Sequence, residues 1–337
     1  MERIVTGHIS DLHFGRHLSG RHFAFAKGYR QHDMTLCDGL TGTMRRLPGI
    51  HGLGREEVLR VVCSGDVTAN GLLDEFIVGN TFLRSHFRQS YGMPPIKVGL
   101  ALPDTRFAAV PGNHDHWNGN NLLPPYRTSI AANHFEQLPW RQLWCSPQKT
   151  LELELFGLDS NLGSGGSQPG SKNRIFAQGA LSKPQLDELE ELMRSSPSPG
   201  ENTKRVRGIV LHHSLSYKGG ILPNVVAPKI LPKRYADALL DLMVRQNVSV
   251  LLTGHTHDPN HQPIPHTFGG TTHIVHELRS PATLQGPASR THAGFLVHQV
   301  SLETDQVIWR TWHYRWTTQM GFQVASVHTP WRKFILP

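Results

Sequence analysis

The chain alternates between short, continuously apolar runs and longer stretches in which apolar residues recur every three or four positions. The runs at 4–5, 58–63, 107–110, 151–158, 206–211 and 248–252 are dominated by Val, Ile, Leu and Phe. Continuous apolarity over so few residues is what a strand covered on both faces requires. Between these runs, Leu72, Phe76, Leu83 and Phe87 fit one face of a helix that Gly79 weakens. Ser182-Lys183-Pro184-Gln185 reads as a capping box opening a helix with Leu186, Leu189 and Met193 on one side. Ala236, Leu239, Leu240, Met243 and Val244 mark a further helix. Strands alternating with helices predict an α/β fold. Later the pattern changes. Segments 273–278, 293–302 and 306–316 read as strands with no helix between them, so a second, partly antiparallel sheet is expected.

Three segments lack periodic apolar residues. Segment 15–57 is glycine- and histidine-rich and is expected to be an insertion with some helix near 23–47. Segment 161–173 contains Gly163, Gly165, Gly166 and Gly170 and is expected to be a flexible loop, and 195–203 a Ser/Pro turn. None has the length or composition of a linker between domains. One catalytic domain is therefore expected over 1–305, with 306–337 a C-terminal strand and tail packed on it. Trp312, Tyr314 and Trp316 alternate onto one strand face near Trp309. That face is either covered by other structure or a stacking platform for bases.

Each of several apolar runs ends in a polar cluster. The clusters are Asp11-Leu12-His13, Gly65-Asp66, Gly112-Asn113-His114-Asp115, His212-His213 and Gly254-His255-Thr256-His257. Asp, Asn and His in this number and kind suit two adjacent metal ions, an arrangement used to activate water for attack at phosphorus. Asp11 and His13 stand two apart, as do His255 and His257, and in extended chain such residues point the same way. Gly65 permits a tight turn that exposes the Asp66 carboxylate, which has two oxygens and can bridge two cations. Asn113 offers a neutral carbonyl oxygen. Asp115 either orients the His114 ring or caps the turn. Imidazole and carboxylate together favour Mn, Fe or Zn over Ca or Mg, and the lack of cysteine donors argues against a structural zinc site.

Composition adds boundaries. Of 337 residues, 38% are hydrophobic and 18% charged, the balance of an ordinary soluble domain. No run approaches the roughly 18 apolar residues of a membrane span, and the start shows no basic-then-apolar leader, so no signal peptide is expected. Cys37, Cys63 and Cys145 are sparse and match no zinc spacing, which fits a cytoplasmic protein. The net charge of +8 is either general surface charge or attraction for an anionic substrate. Arg45-Arg46, Lys204-Arg205-Arg207 and Lys233-Arg234 are scattered, unlike a nucleic-acid-binding tail.

The order and form of the five clusters resemble the calcineurin-like metallophosphoesterase superfamily from about residue 4 to about 302. The resemblance implies two packed mixed β-sheets flanked by helices, with a dinuclear metal site at the C-terminal ends of strands. It implies that Asp11, His13, Asp66 and His257 surround one ion and Asp66, Asn113, His212 and His255 the other. It gives His114 the catalytic role of protonating the leaving group, and hydrolysis to a hydroxide activated by the two ions. Ala69 stands where relatives carry a second Asp that supports this histidine, and Ser214 where proline is usual. His213 is either a substrate-facing or a turn residue. His116 and Tyr217 are further candidates for substrate contact, the latter on segment 214–234, which follows a ligand and is placed to fold over the site.

The stretch 9–15, with 64–68 and Glu75-Phe76, looks most like the cyclic-nucleotide phosphodiesterase-like branch. A phosphodiester is thus the expected substrate, with a cyclic nucleotide as its leading specific form. The alternatives are a DNA or RNA nuclease of the repair type, or a phosphomonoesterase, with a non-catalytic protein-binding scaffold more remote. Nucleic acid would be a partner only in the nuclease case, and no membrane partner is expected. Metal content discriminates the scaffold, in which ligands decay, and a substrate screen discriminates the rest.

Overall fold

Two six-stranded sheets stack face to face in the computed structural model, which describes residues 2–15, 34–89, 96–117, 130–161, 179–216, 231–284, 293–304 and 306–334. The strands are β1 (Arg3–Ile9), β2 (Leu59–Cys63), β3 (Phe87–Gln89), β4 (Ile96–Val98), β5 (Phe107–Ala109), β6 (Trp140–Cys145) and β7 (Leu151–Gly157). They continue with β8 (Lys204–Val210), β9 (Val250–Thr253), β10 (Asn260–Phe268), β11 (Thr271–Arg279), β12 (Gly294–Glu303), β13 (Gln306–Thr317) and β14 (Gly321–Phe334). The helices are α1 (Met34–Ile50), α2 (Leu73–Arg84), α3 (Lys183–Arg194) and α4 (Lys233–Arg245). One sheet runs β14-β13-β12-β1-β2-β5, the other β10-β11-β9-β8-β7-β6, and β3 pairs with β4.

Both sheets are mixed, as the α/β reading expects. The strands β1, β2 and β5 are parallel, as are β7, β8, β9 and β11, and antiparallel strands extend each sheet outward. The second, partly antiparallel sheet that the late strands predict is present, although not all of those strands lie in it. They divide, with β12 and β13 extending the first sheet beside β1 and β11 joining the second beside β9. The strand β10 carries Pro263 and Pro265, which cannot donate to a ladder, and accordingly it lies at a sheet edge paired only with β11.

Three apolar layers hold this arrangement. Ile4, Val62, Val110, Leu153, Val206, Val250, Val300 and Trp309 fill the space between the sheets. Leu36, Leu40, Met44 and Leu47 of α1 pack with Tyr314 and Trp316 on the outer face of the first sheet. There Gly39 permits contact, because a Cβ at that position would come within 2.3 Å of the Trp316 ring. The aromatic row is therefore a covered sheet face. On the second sheet, Leu189 and Met193 of α3 and Leu239 and Met243 of α4 cover Ile209, Leu251 and Val275. The described part of the expected insertion carries α1, and 16–33 lies outside the described residues, as does 162–173 of the expected flexible loop.

Capping departs from expectation in one detail. Ser182 Oγ accepts from Gln185 N at 3.3 Å. The Gln185 amide, oriented to satisfy both groups, does not return to Ser182 but bridges the Asp159 main chain, accepting from its N–H (3.2 Å) and donating to its carbonyl (3.1 Å).

Polar residues also lie between the sheets. His8 Nε2 is 3.0 Å from Ser64 Oγ, His8 Nδ1 is 3.3 Å from His298 Nε2, and His298 Nδ1 is 3.0 Å from Thr311 Oγ1. Burial pushes His8 down to about 3, offset only in part by Asp11, and holds His298 well below the ordinary value. The unfolded chain takes up these protons near pH 6.5 while the folded chain does not. Stability from this pair is thus fully present above about pH 6.5 and is lost as pH falls toward the folded values. At pH 5 His8 alone costs about 2 kcal/mol, and His298 adds to it in the same direction. Thermal melts should show Tm falling between pH 7 and pH 5, and His298→Gln should flatten that slope. An unchanged slope in the variant would refute the assignment.

Candidate metal centre

The parallel strands end in abrupt turns at one end of the sandwich. Asp11, His13, Asp66, His255 and His257 have positive φ values of 52°, 50°, 54°, 65° and 57°. For residues other than glycine this left-handed backbone costs roughly 1–2 kcal/mol each, and such outliers cluster at functional sites. The residue pairs two apart do converge, but through left-handed turns and not through the alternation of an extended strand. The turns after β1 and β2 run side by side. Asp11 N donates to Gly65 O (2.9 Å), His13 N to Asp66 O (3.0 Å) and Phe14 N to Val67 O (2.8 Å). Gly65 (φ 108°) has no room for a side chain, since a Cβ would lie 2.5 Å from His212 Nδ1.

Among the described residues three groups of donor atoms result: Asp11, His13 and His257; His13, Asp66 and His114; and Asp66, His212 and His255. His257 Nε2 is 3.1 Å and His13 Nε2 3.7 Å from Asp11 Oδ1. Asp11 Oδ2 accepts from Ser10 Oγ (2.5 Å) and His255 N (3.0 Å). Burial by itself would raise the Asp11 carboxyl, but His257 beside it holds it below the usual range. Asp66 is likewise held far down, its burial outweighed by His212 and His114.

The second side of the site is the more telling. His212 Nδ1 lies 2.7 Å from Ser64 O, a carbonyl that can only accept, so Nδ1 carries the proton. The other ring nitrogen faces Asp66 Oδ2, Asn113 Oδ1 and His255 Nδ1, each at 3.2 Å. In a neutral ring Nε2 is then an electron pair facing two oxygen acceptors and a second imidazole nitrogen. Burial opposes charge on His212, yet Asp66 and Asp11 raise it to about 9. The point therefore demands a positive charge, and a divalent cation satisfies imidazole, carboxylate and amide oxygen together. Among the described residues, Asn113 Nδ2 and His255 Nε2 are buried with no hydrogen-bond partner. The donor set fits a transition-metal ion.

His114 lies beside this set. Its main-chain N donates to Asp66 Oδ1 (2.8 Å), and its Nδ1 to Ala69 O (2.9 Å), leaving Nε2 3.8 Å from Asp66 Oδ2. The backbone carbonyl of Ala69 thus orients a ring for which relatives are expected to use a carboxylate. The Trp117 ring packs against it, with centroids 3.6 Å apart. Asp115 takes the turn role. It accepts from Gly112 N (2.9 Å), Val67 N (3.2 Å), Thr68 N (2.8 Å) and Thr68 Oγ1 (2.8 Å), joining the Asp66 and Asn113 loops. Burial raises its carboxyl to about 6.

The expected substrate contacts are placed less directly. Tyr217 lies outside the described residues. His116 is largely buried with Nε2 3.0 Å from Asp159 Oδ2. His213 is fully buried, with Nδ1 2.7 Å from Ser160 Oγ. Motif reasoning passes over Asp159 and Ser160, although Asp159-Ser160-Asn161 follows an apolar run just as the five clusters do.

A family model described as calcineurin-like phosphoesterase matches residues 4–259. A search of curated proteins finds no match. Among solved structures, a Streptococcus pneumoniae TIGR4 protein described as a predicted phosphoesterase is 10% identical, with 99% of each chain covered and a TM-score of 0.35. Vps29 of Entamoeba histolytica complexed with Zn²⁺ is 10% identical, with 98% of each chain covered and a TM-score of 0.33. Vps29 of Chaetomium thermophilum is 8% identical, with 98% of this chain and 97% of that one covered and a TM-score of 0.32. Likenesses this low carry nothing about the reaction.

Proposed function

The chain belongs to the calcineurin-like phosphoesterase family, and from that premise we propose that it hydrolyses a phosphodiester with two divalent ions, Mn, Fe or Zn. Family membership supports metal-dependent phosphoester hydrolysis; the diester and the number of ions are our reading. The observation that carries it is the convergence of Asp66 Oδ2, Asn113 Oδ1 and His255 Nδ1 on His212 Nε2, each at 3.2 Å, at a point that demands positive charge. These residues would hold one ion, and Asp11, His13 and His257 with Asp66 the other. When bound, such a pair supplies a water of lowered pKa and neutralises charge on the phosphoryl oxygens. The protein's own part is to orient and to move a proton. Ser64 O fixes the His212 tautomer and Ala69 O that of His114. From Nε2, His114 would give a proton to the departing alkoxide.

A cyclic nucleotide is the specific substrate proposed, on the likeness of residues 9–15 and 64–68 to that branch of the family. Among the described residues no helix is long and apolar enough to cross a membrane, and a cytoplasmic setting is proposed from the sparse cysteines. Chelation should abolish hydrolysis of bis(4-nitrophenyl) phosphate, and added Mn²⁺ should restore part of it. Full activity after metal removal verified by elemental analysis would refute the reading. A Mn²⁺-supplemented screen of cyclic nucleotides, dinucleotides, oligonucleotides and monoesters then fixes the substrate class. Preference for oligonucleotides would make the protein a nuclease, and purified protein with neither bound metal nor turnover of any of these a scaffold.

A further inference from the structure

We infer that the turn closing β7, Asp159-Ser160-Asn161, is a positioning element that assembles one of the two ion positions, an inference that rests on the two-ion reading above. The strand β7 supplies no ligand. Yet its turn is tied to neighbours of Asn113, His212 and His255, the three ligands assigned to one ion alone.

Asn113 comes from the first sheet and must meet His212 and His255 of the second. Its loop is pinned to the β7 turn at both ends. Asn161 Nδ2 donates to Pro111 O (3.4 Å). At the other end the Asp159 carboxylate holds His116 at 3.0 Å, and His116 N donates back to Asn113 O (3.3 Å). Asp159 is 4% exposed. Burial would raise its carboxyl, but His116, with support from Asn161 N (2.9 Å) and Nδ2 (2.8 Å), holds it below the ordinary range. Buried ion pairs add little net stability over apolar side chains of like size, so this pair calls for another account.

Ser160 acts on the remaining two ligands through His213. Its Oγ lies 2.7 Å from His213 Nδ1 and accepts from His213 N (3.2 Å). The His213 ring packs against His255 at 4.6 Å between centroids and against His212 at 5.3 Å. The turn is itself braced, since the Gln185 amide at the start of α3 bridges the Asp159 main chain. Asp11 is held differently, by Ser10 Oγ and His255 N, and His13 N by Asp66 O.

The test is a Mn²⁺ titration of the metal-free full chain, with circular dichroism to follow the fold and Co²⁺ absorption to report ligand geometry. Wild type should bind two ions. Asp159→Leu should weaken one of them by about 10–100-fold, the usual effect of losing a group that orients a ligand, and leave the other unchanged. Asp159→Asn retains an acceptor oxygen and should restore much of the loss, and Ser160→Ala should weaken the same ion. If Asp159→Leu fails to fold, Ser160→Ala decides. Two ions bound as in wild type by Asp159→Leu and Ser160→Ala, or both weakened equally with the fold intact, overturns the inference alone. A wild type that binds no second ion overturns the two-ion reading, and the inference with it.

Discussion

Asp66→Asn is expected to lower occupancy at both ion positions and to cut hydrolysis by on the order of 10³-fold or more, since an ion pair is worth several kcal/mol of transition-state stabilisation. Among the described residues, Asp66 is the only carboxylate that falls in two of the three donor groups, one with His13 and His114, the other with His212 and His255. An amide keeps the shape but loses the charge that raises His212 and the second oxygen that two cations would share. His13→Ala offers the contrast. It removes a donor from the Asp11 side and should mainly empty one position. Elemental analysis of the purified variants measures both outcomes. Two ions bound normally by Asp66→Asn would disprove the bridge.

His114→Ala should keep both ions and yet hydrolyse slowly. General acid catalysis contributes about 10²–10⁴-fold, and the full loss should appear with a poor leaving group such as a ribose alkoxide. Nitrophenolate departs without a proton, so its loss should be smaller. The Ala69 carbonyl supplies the orientation that the replaced carboxylate would have given, which argues for an undiminished difference between the two substrates. His114 also falls in a donor group with His13 and Asp66, so the ligand and acid roles need separating. Equal losses on both substrates, or a missing ion, would favour the ligand.

The five polar clusters were legible because holding a metal would need particular side chains, and because each cluster ends an apolar run whose strand character is itself legible. The architecture followed from the same runs. What escaped had no such signature. Pro263 and Pro265 hide β10, which is tolerated only because it lies at an edge. The long strand β14 exposes Val324 and Val327 and lacks the two-sided burial that marks the central strands. The Ala69 carbonyl that orients His114 belongs to the main chain and would look the same for any residue. Asp159 belongs to no familiar motif, and its partner His116 is distant in sequence. The left-handed backbone at Asp11 and His257 is equally silent, for Asp and His occupy many conformations.

That backbone has a consequence for any attempt to make this protein hardier. At Asp11, His13, Asp66, His255 and His257, glycine would adopt the observed conformation without steric penalty. Each such replacement would relieve backbone strain and delete a candidate metal donor in the same stroke, at Asp11 and Asp66 together with the hydrogen bonds their carboxylates accept from His255 N and His114 N. Where the relieved strain outweighs those losses, heat resistance and turnover are opposed, as they often are where a site holds strained chain. Directed evolution scored on melting alone would accept such a glycine wherever the balance favours it, and would lose the donor without noticing.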